Sequence, residues 1–179
     1  MKKPCALLIT LALFVAGCGG ATNGTAKQIN SITESLDAKS INELSYSVPM
    51  DDLESSFKDK DNYKREGHFI YYSSKDAFGI KGLNVDVGVG SNDNYQFDGI
   101  SYDLKPTSES NADVEDEIID ILTKEYGEPK SMAGLFYGWN TSNALIELTC
   151  PLDPSEIPSL SITQKSEEHQ KLYDTLFNR

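Results

Sequence analysis

The chain has 179 residues and a formal net charge of −12, from 16 basic and 28 acidic side chains. So acidic a chain is poorly suited to bind nucleic acid or anionic lipid, both of which attract basic proteins. Its length fits one domain of ordinary size, whereas two small domains would each have a marginal core.

The first residues have the pattern of a secretory leader. Met1-Lys2-Lys3 is a short basic start, residues 6–15 form an apolar run, and small residues follow. The run is too short for a permanent membrane helix, which needs about 20 residues. The pattern therefore predicts a signal peptide over residues 1–17.

The leader ends in Val15-Ala16-Gly17-Cys18, which resembles the lipobox of bacterial lipoproteins. The resemblance implies a diacylglycerol on the Cys18 thiol, cleavage after Gly17 and a new amino terminus that is often acylated. It implies a membrane-anchored, extracytoplasmic protein whose first partner is membrane lipid. The protein would then be located at the outer membrane of a Gram-negative cell or on the outer face of a Gram-positive plasma membrane. The alternative is ordinary signal cleavage, which would leave a free thiol.

Without Lys2 and Lys3, the mature chain of 162 residues has 14 basic and 28 acidic side chains, a net charge of −14. A charge of this size is typical of a soluble surface. It would also suit a cationic partner or divalent ions, so that alternative stays open.

Cysteine usage excludes an internal disulfide in the mature chain. Cys5 leaves with the leader and Cys18 is the acylation site, so Cys150 has no partner. Cys150 ends an apolar strand pattern, which indicates a buried structural thiol. A catalytic thiol would need a base, and only His68 and His169 are present.

The mature chain begins with a Gly-rich, polar stretch that predicts a flexible tether over residues 18–26. Apolar residues then recur at helical spacing, which predicts one helix or two short ones in residues 27–44. A short helix is expected over residues 50–58, because Pro49 and several acidic residues suit a first helical turn.

The middle of the chain predicts strands. Residues 69–72 form a short aromatic strand. Apolar and polar residues alternate over 83–90 and 95–104 on either side of a polar turn. This alternation predicts an antiparallel hairpin with one buried and one solvated face.

The strongest helical pattern follows, with Val114, Ile118, Leu122 and Tyr126 on one face. Ser110 or Asn111 would cap its start, and Gly127 with Pro129 would end it. Strands are expected at 135–139, 144–150 and 160–162, and a last helix is expected after Ser166.

This order predicts an α+β fold in a single domain over residues 27–179, an antiparallel sheet with helices packed on one face. Residues 50–104 and 112–163 each read as a helix followed by about three strands. The two segments therefore look like a tandem repeat in element order.

No catalytic residue, metal ligand or cofactor is predicted. The chain lacks a Gly-x-Ser-x-Gly elbow and a His-Glu-x-x-His helix. Asn92, Asp93, Asn94 and Asp98 form a loose oxygen-rich loop, but a calcium loop needs a fixed pattern that is absent, and such residues also favour turns. Acidic pairs are numerous, so a hydrolase stays open.

Aromatic residues concentrate on two strands, as Tyr71-Tyr72 and as Phe136, Tyr137 and Trp139. Neighbouring strand residues point to opposite faces, so some of these rings lie away from the main core unless a helix covers them. Tyr137 and Trp139 are therefore candidate binding residues. The alternative is that Trp139 anchors the core beneath a helix.

Residues 122–129, followed by the aromatic strand with Trp139, look like small uncharacterised bacterial envelope lipoproteins. The repeated order of a helix and then antiparallel strands is similar to the beta-lactamase inhibitory protein and to the SmpA/OmlA outer-membrane assembly lipoproteins. No specific motif of either family is matched. The likeness implies protein–protein recognition through a sheet face and not catalysis.

Three functions follow as hypotheses. The first is a tethered module that binds another envelope or extracellular protein. An apolar, aromatic patch on a sheet would support it. The second is a lipoprotein that binds a small ligand or peptide in a deep pocket. The third is a tethered hydrolase with paired carboxylates in a cleft.

Overall fold

A computed structural model describes residues 19–107, 110–153 and 155–177. The predicted signal peptide and the predicted acylation site Cys18 lie outside these residues. The helices are α1 Gly19–Ser35, α2 Ala38–Glu43, α3 Met50–Glu54, α4 Asn111–Tyr126 and α5 Glu167–Phe177, with a 3₁₀ turn at Ala77–Gly79. The strands are β1 Asp61–Glu66, β2 Phe69–Ser74, β3 Leu83–Ser91, β4 Phe97–Pro106, β5 Lys130–Met132, β6 Phe136–Asn140, β7 Ala144–Thr149 and β8 Ser159–Gln164. The predicted α+β fold is confirmed.

The eight strands form one antiparallel sheet in the order β1-β2-β3-β4-β8-β7-β6-β5. The sheet therefore consists of two four-stranded meanders that meet where β4 pairs with β8, with Ser101 opposite Ser161. Each meander follows a helix, α3 in the first half and α4 in the second. Each half thus has four strands, not the three predicted, because β1 and β5 were not expected.

One face of the sheet carries the main hydrophobic core, and we call it the core face. Alternate residues of the central strands point to it, and α1 and α4 cover it. Thr33 of α1 reaches the sheet, where its hydroxyl oxygen lies 3.4 Å from that of Tyr72 and 3.3 Å from that of Tyr102. Buried hydroxyls need such partners, so α1 is fixed to the sheet by polar contacts as well as by packing.

The predicted flexible tether over 18–26 is wrong for its described part. Helix α1 begins at Gly19, and Thr25 and Ala26 are buried. Ala26 belongs to the same apolar core as Ile29. Tertiary packing of this kind stabilises a helix in a sequence whose intrinsic helical propensity is low.

The expectation that the helices pack on one face is also wrong, because α5 lies on the opposite face of the sheet, which we call the second face. The rings of Tyr173 and Phe177 pack over Gly138 of β6. Leu145 of β7 and Tyr173 are both buried, yet both lie outside the main core. Strands β6 and β7 are therefore covered on both faces.

The ends of α4 follow the predicted capping. The Ser110 side chain accepts a hydrogen bond from the backbone N–H of Asp113, and the Asp113 carboxylate accepts one from the backbone N–H of Ser110. Gly127 follows the helix with a φ of 80°, which favours glycine. In the part of the chain that the structure describes, no helix has both the length and the apolar character needed to cross a bilayer.

Candidate functional site: the open half of the second face

Among the described residues, no helix packs on the second face over the first half of the sheet. We call this surface the open face and define it by six residues of β2, β3 and β4: Phe69, Tyr71, Gly88, Gly90, Asp98 and Ser101. Its counterpart in the other half is the surface beneath α5. The asymmetry between the two halves therefore leaves one sheet surface free for contact.

Two aromatic rings stand on the open face. Phe69 is 44% exposed and Tyr71 is 37% exposed, and their ring centroids are 5.8 Å apart at an interplanar angle of 21°. Strand alternation turns their neighbours Ile70 and Tyr72 into the core. A stacked, exposed aromatic pair on a sheet is typical of an interaction surface.

Glycines keep the surface beside these rings low. A Cβ on Gly90 would lie 3.1 Å from Cε1 of Phe69, and one on Gly88 would lie 2.7 Å from Oγ of Ser101. A Cβ on Gly99 would lie 2.9 Å from the carbonyl oxygen of Ile162. Bare backbone therefore forms the floor of a depression of about 190 Å³. Ser161 and Thr163 of β8 form its far side.

Asp98 supplies the charge of the depression. The β3–β4 register shifts where Gly90 pairs with Gly99 and Ser91 pairs with Phe97, so Asp98 is the extra residue of a bulge. Bulges re-aim side chains in this way beside functional sites. Burial raises the pKa of Asp98, an effect that His169 opposes.

The contact between Asp98 and His169 is loose. Nε2 of His169 lies 3.8 Å from Oδ2 of Asp98, beyond hydrogen-bonding distance. Nδ1 of His169 lies 2.8 Å from the carbonyl oxygen of Gln164, which can only accept, so Nδ1 carries the proton. In the neutral ring Nε2 therefore has no hydrogen to offer Asp98.

A second carboxylate, Glu147, lies nearby but opens elsewhere. Burial raises the pKa of Glu147, and His169 again acts in the opposite direction. Glu147 lines a separate cavity of about 350 Å³ beneath α5, together with Leu145 and Leu176. The two carboxylates thus do not line one cleft, which weakens the hydrolase hypothesis. Among the described residues, no group of three or more His, Cys, Asp and Glu side chains is placed to hold a metal ion.

The residues singled out in the sequence lie elsewhere. Trp139 is only 2% exposed, and its Nε1–H donates to the carbonyl oxygen of Gly127 at 3.1 Å, so it anchors the core and presents no binding surface. Tyr137 is half-buried and packs against the same core. The interpretation of Trp139 as a core anchor is the correct one, because α4 and its C-terminal glycine cover β6.

Other sequence features also have structural roles. Burial, with the Glu115 carboxylate next in effect, raises the pKa of the Cys150 thiol to about 12, so the thiol stays protonated. Oδ1 of Asn92 accepts hydrogen bonds from the backbone N–H groups of Asn94 and Gln96, so it stabilises a turn.

The open face was not predicted as a site, although part of its signal was present. Tyr71 lies in the aromatic strand predicted over residues 69–72, and Phe69 lies two residues before it on the same side of β2. The facing residues of β3 are Gly90 and Gly88. An aromatic pair opposite a glycine pair indicates rings lying over bare backbone, but only once the strand register is known.

Known proteins share little sequence similarity with this chain. No protein-family model matches the chain, and no curated protein matches it. The chain is similar to the crystal structure of a DUF4309 family protein (YjgB) from Bacillus subtilis subsp. subtilis str. 168, with a TM-score of 0.44 and 9% sequence identity. The match covers 82% of this chain and 97% of that one. A likeness at this level carries no conclusion about function.

Proposed function

We propose that this chain is a membrane-anchored, extracytoplasmic interaction module that binds another envelope or extracellular protein through the open face. The observation that carries the proposal is the exposed aromatic pair Phe69 and Tyr71 on an otherwise uncovered sheet surface. Anchoring through acylated Cys18 rests on the lipobox pattern. Aromatic residues are enriched at protein interfaces because they bury a large area at a low entropic cost.

The size of the depression favours a polypeptide over a small molecule at this position. Its volume of about 190 Å³ is below the range of about 300–1,000 Å³ that is usual for ligand pockets. A space of this size suits one side chain of a larger partner.

The covered half of the second face supports the same conclusion. There α5 lies across β6 and β7 and buries Tyr173 against the sheet. The first half is likewise a four-stranded meander, and no described helix lies in the equivalent place. We infer that a segment of another protein takes that place over Phe69 and Tyr71.

In-cell crosslinking of the full, acylated protein, followed by mass spectrometry, tests this function. A double variant, Phe69→Ala with Tyr71→Ala, removes both rings, and Leu152→Ala is the matched control because Leu152 is an exposed apolar residue of the loop after β7. We expect one stoichiometric partner with the wild type and with Leu152→Ala, and its loss with the double variant. Loss of a hot-spot aromatic costs about 2 kcal/mol or more, roughly 30-fold in affinity.

Two outcomes would count against the proposal. If the double variant captures the same partner as the wild type, the open face is not the interface. If Cys18→Ala leaves the protein in the membrane fraction, the proposed anchor is wrong, whatever the partner. The two parts of the proposal are therefore tested separately.

A further inference from the structure

We propose that the depression between Phe69 and Asp98 receives a lysine or arginine side chain, so that the partner docks on the open face through a basic segment. This inference rests on the proposed function and specifies the chemistry of the partner. The shape of the depression, the partly buried carboxylate of Asp98 and the charge around it support this inference.

The depression matches the two parts of a long basic side chain. Its wall is the Phe69 ring and its floor is glycine backbone, and the exposed lining is mostly apolar. Its charged group is the carboxylate of Asp98. Lysine and arginine bury an aliphatic stem along such a surface while the charged head meets a polar group.

The carboxylate of Asp98 lacks a hydrogen-bond donor, which a basic partner would supply. Among the described residues its carboxylate accepts no hydrogen bond, and its ion-pair partner His169 stays 3.8 Å away. A partly buried carboxylate loses part of its hydration, and an ammonium or guanidinium donor compensates for that loss. His169 does not supply this donor, because its neutral ring carries the proton on Nδ1, which is bonded to Gln164, and Nε2 faces Asp98 without a hydrogen.

The remaining charges of this surface are complementary to a cation. Asp103 shares the second face with Ser101 and is exposed. The cations of this surface are engaged in salt bridges, Lys105 with Asp86 and Lys64, which lies opposite Tyr71, with Glu66. The whole chain carries a net charge of −12, so a basic partner is also favoured at long range. The exposed rings of Phe69 and Tyr71 add a cation–π contribution.

The test uses a short extended peptide, Ac-Gly-Ser-Lys-Ser-Gly-NH2, and follows the backbone amides of Gly88, Gly90 and Gly99 by NMR. Two comparison peptides carry norleucine or glutamate in place of the lysine. We expect the lysine peptide to shift these three amides in a saturable way. The norleucine peptide keeps the stem without the charge, so it should bind at least about tenfold more weakly.

Matched variants locate the charge that matters. Asp98→Asn should weaken binding of the lysine peptide by about tenfold or more, because it removes the carboxylate that receives the ammonium. Asp103→Asn removes a charge of the same sign from the same face but outside the depression, and should change the affinity by about twofold or less. If the two variants had equal effects, the lysine peptide would be attracted by the acidic surface in general and not by Asp98. That result would overturn the inference.

Other results would also overturn it. Equal binding of the norleucine peptide would make the depression an apolar site, and an absence of shifts at the three glycines would exclude a side chain there. The inference and the proposed function fail separately. If Asp98→Asn retains the crosslinked partner that the double aromatic variant loses, the open face is the interface but the cation pocket is not part of it.

Discussion

Phe177 of α5 lies directly over Gly138 of β6, where a Cβ atom would stand 2.6 Å from Cε2 of the phenylalanine ring. The ring of Tyr173 is equally close, since its Cε2 would be 2.8 Å away from the same atom. The absence of a side chain at Gly138 is therefore what lets α5 pack against the second face. This contact decides which half of that face is covered and which is open.

The change Gly138→Ala should loosen α5. Overpacking of this kind typically costs about 1–3 kcal/mol, because rings held by a helix cannot both move aside. We expect a lower midpoint of thermal unfolding and faster amide exchange in α5. Gly24→Ala is the control, because a Cβ there meets nothing within 4 Å and Gly24 lies inside α1. If the two variants had the same stability and exchange, the packing of α5 described here would be wrong.

Asp98→Asn should stabilise the protein at neutral pH. Burial raises the pKa of Asp98 in the folded state, with Glu168 adding to the rise and His169 opposing it. A raised folded pKa means that the ionised carboxylate destabilises the fold above that pKa. The gain from asparagine should thus be largest near pH 7, fall as the pH drops through the folded pKa, and vanish below the unfolded pKa of about 3.9, where the carboxyl is protonated in both states.

Asp86→Asn gives the opposite sign and serves as the comparison for the pH series. The hydrogen bond from Lys105 lowers the pKa of Asp86, with a further contribution from Ser73. Its ionised form therefore stabilises the fold at neutral pH, and that contribution is lost as the pH falls through the folded pKa. Thermal unfolding of both variants across the pH series measures both signs, and a gain from Asp98→Asn that did not change with pH would contradict the assignment.

Trp139→Phe should destabilise the core. The substitution removes the donor that the Gly127 carbonyl oxygen accepts at 3.1 Å, and it leaves space in a buried position. The loss of one buried hydrogen-bond partner costs about 1–3 kcal/mol. Tyr71→Phe is the control, because it removes a polar group from an exposed aromatic residue and should change stability by less than about 0.5 kcal/mol. Urea unfolding measures both, and equal midpoints would contradict the core role of Trp139.

Ser110→Ala should weaken the start of α4. The serine hydroxyl accepts from the backbone N–H of Asp113, and its loss typically costs about 1 kcal/mol. Ser35→Ala is the comparison, because that exposed serine bonds back to the carbonyl of Ser31 and caps no helix start. A difference of zero between the two in denaturant unfolding would mean that the capping box contributes nothing to the fold.

The sequence predicted elements best where a regular pattern has a clear physical cause. The hairpin expected over 83–90 and 95–104 is β3 with β4, and the helix with the Val114 to Tyr126 ladder is α4. Alternation and capping are local signals, so one window of sequence contains them. Strand β1 was missed because an edge strand such as this is largely exposed and carries charged residues without alternation.

The position of α5 and the site itself could not be predicted in this way. Periodicity shows that Tyr173 and Phe177 share an apolar face, but not which face of the sheet receives it. The open face needs Phe69, Gly90 and Asp98 to be neighbours, and that follows from strand register and from a bulge. Strand alternation predicts that some of the clustered aromatics lie away from the core, which favoured Tyr137 and Trp139, whereas the exposed pair lies in the other half of the sheet.

The pairing of β4 with β8 also has a consequence for the order of folding. Every other strand pair joins strands that are neighbours in the chain, so short connections suffice to form each meander. The pairing of β4 with β8 spans α4 and three further strands in the sequence. Contacts of long sequence separation carry the larger closure entropy and form late. The depression lies across the β4–β8 pairing, with Phe69 and Ser101 on one side and Ser161 and Thr163 on the other. A chain whose two meanders had formed but not yet joined would therefore lack the depression, so binding at that position would report that folding is complete.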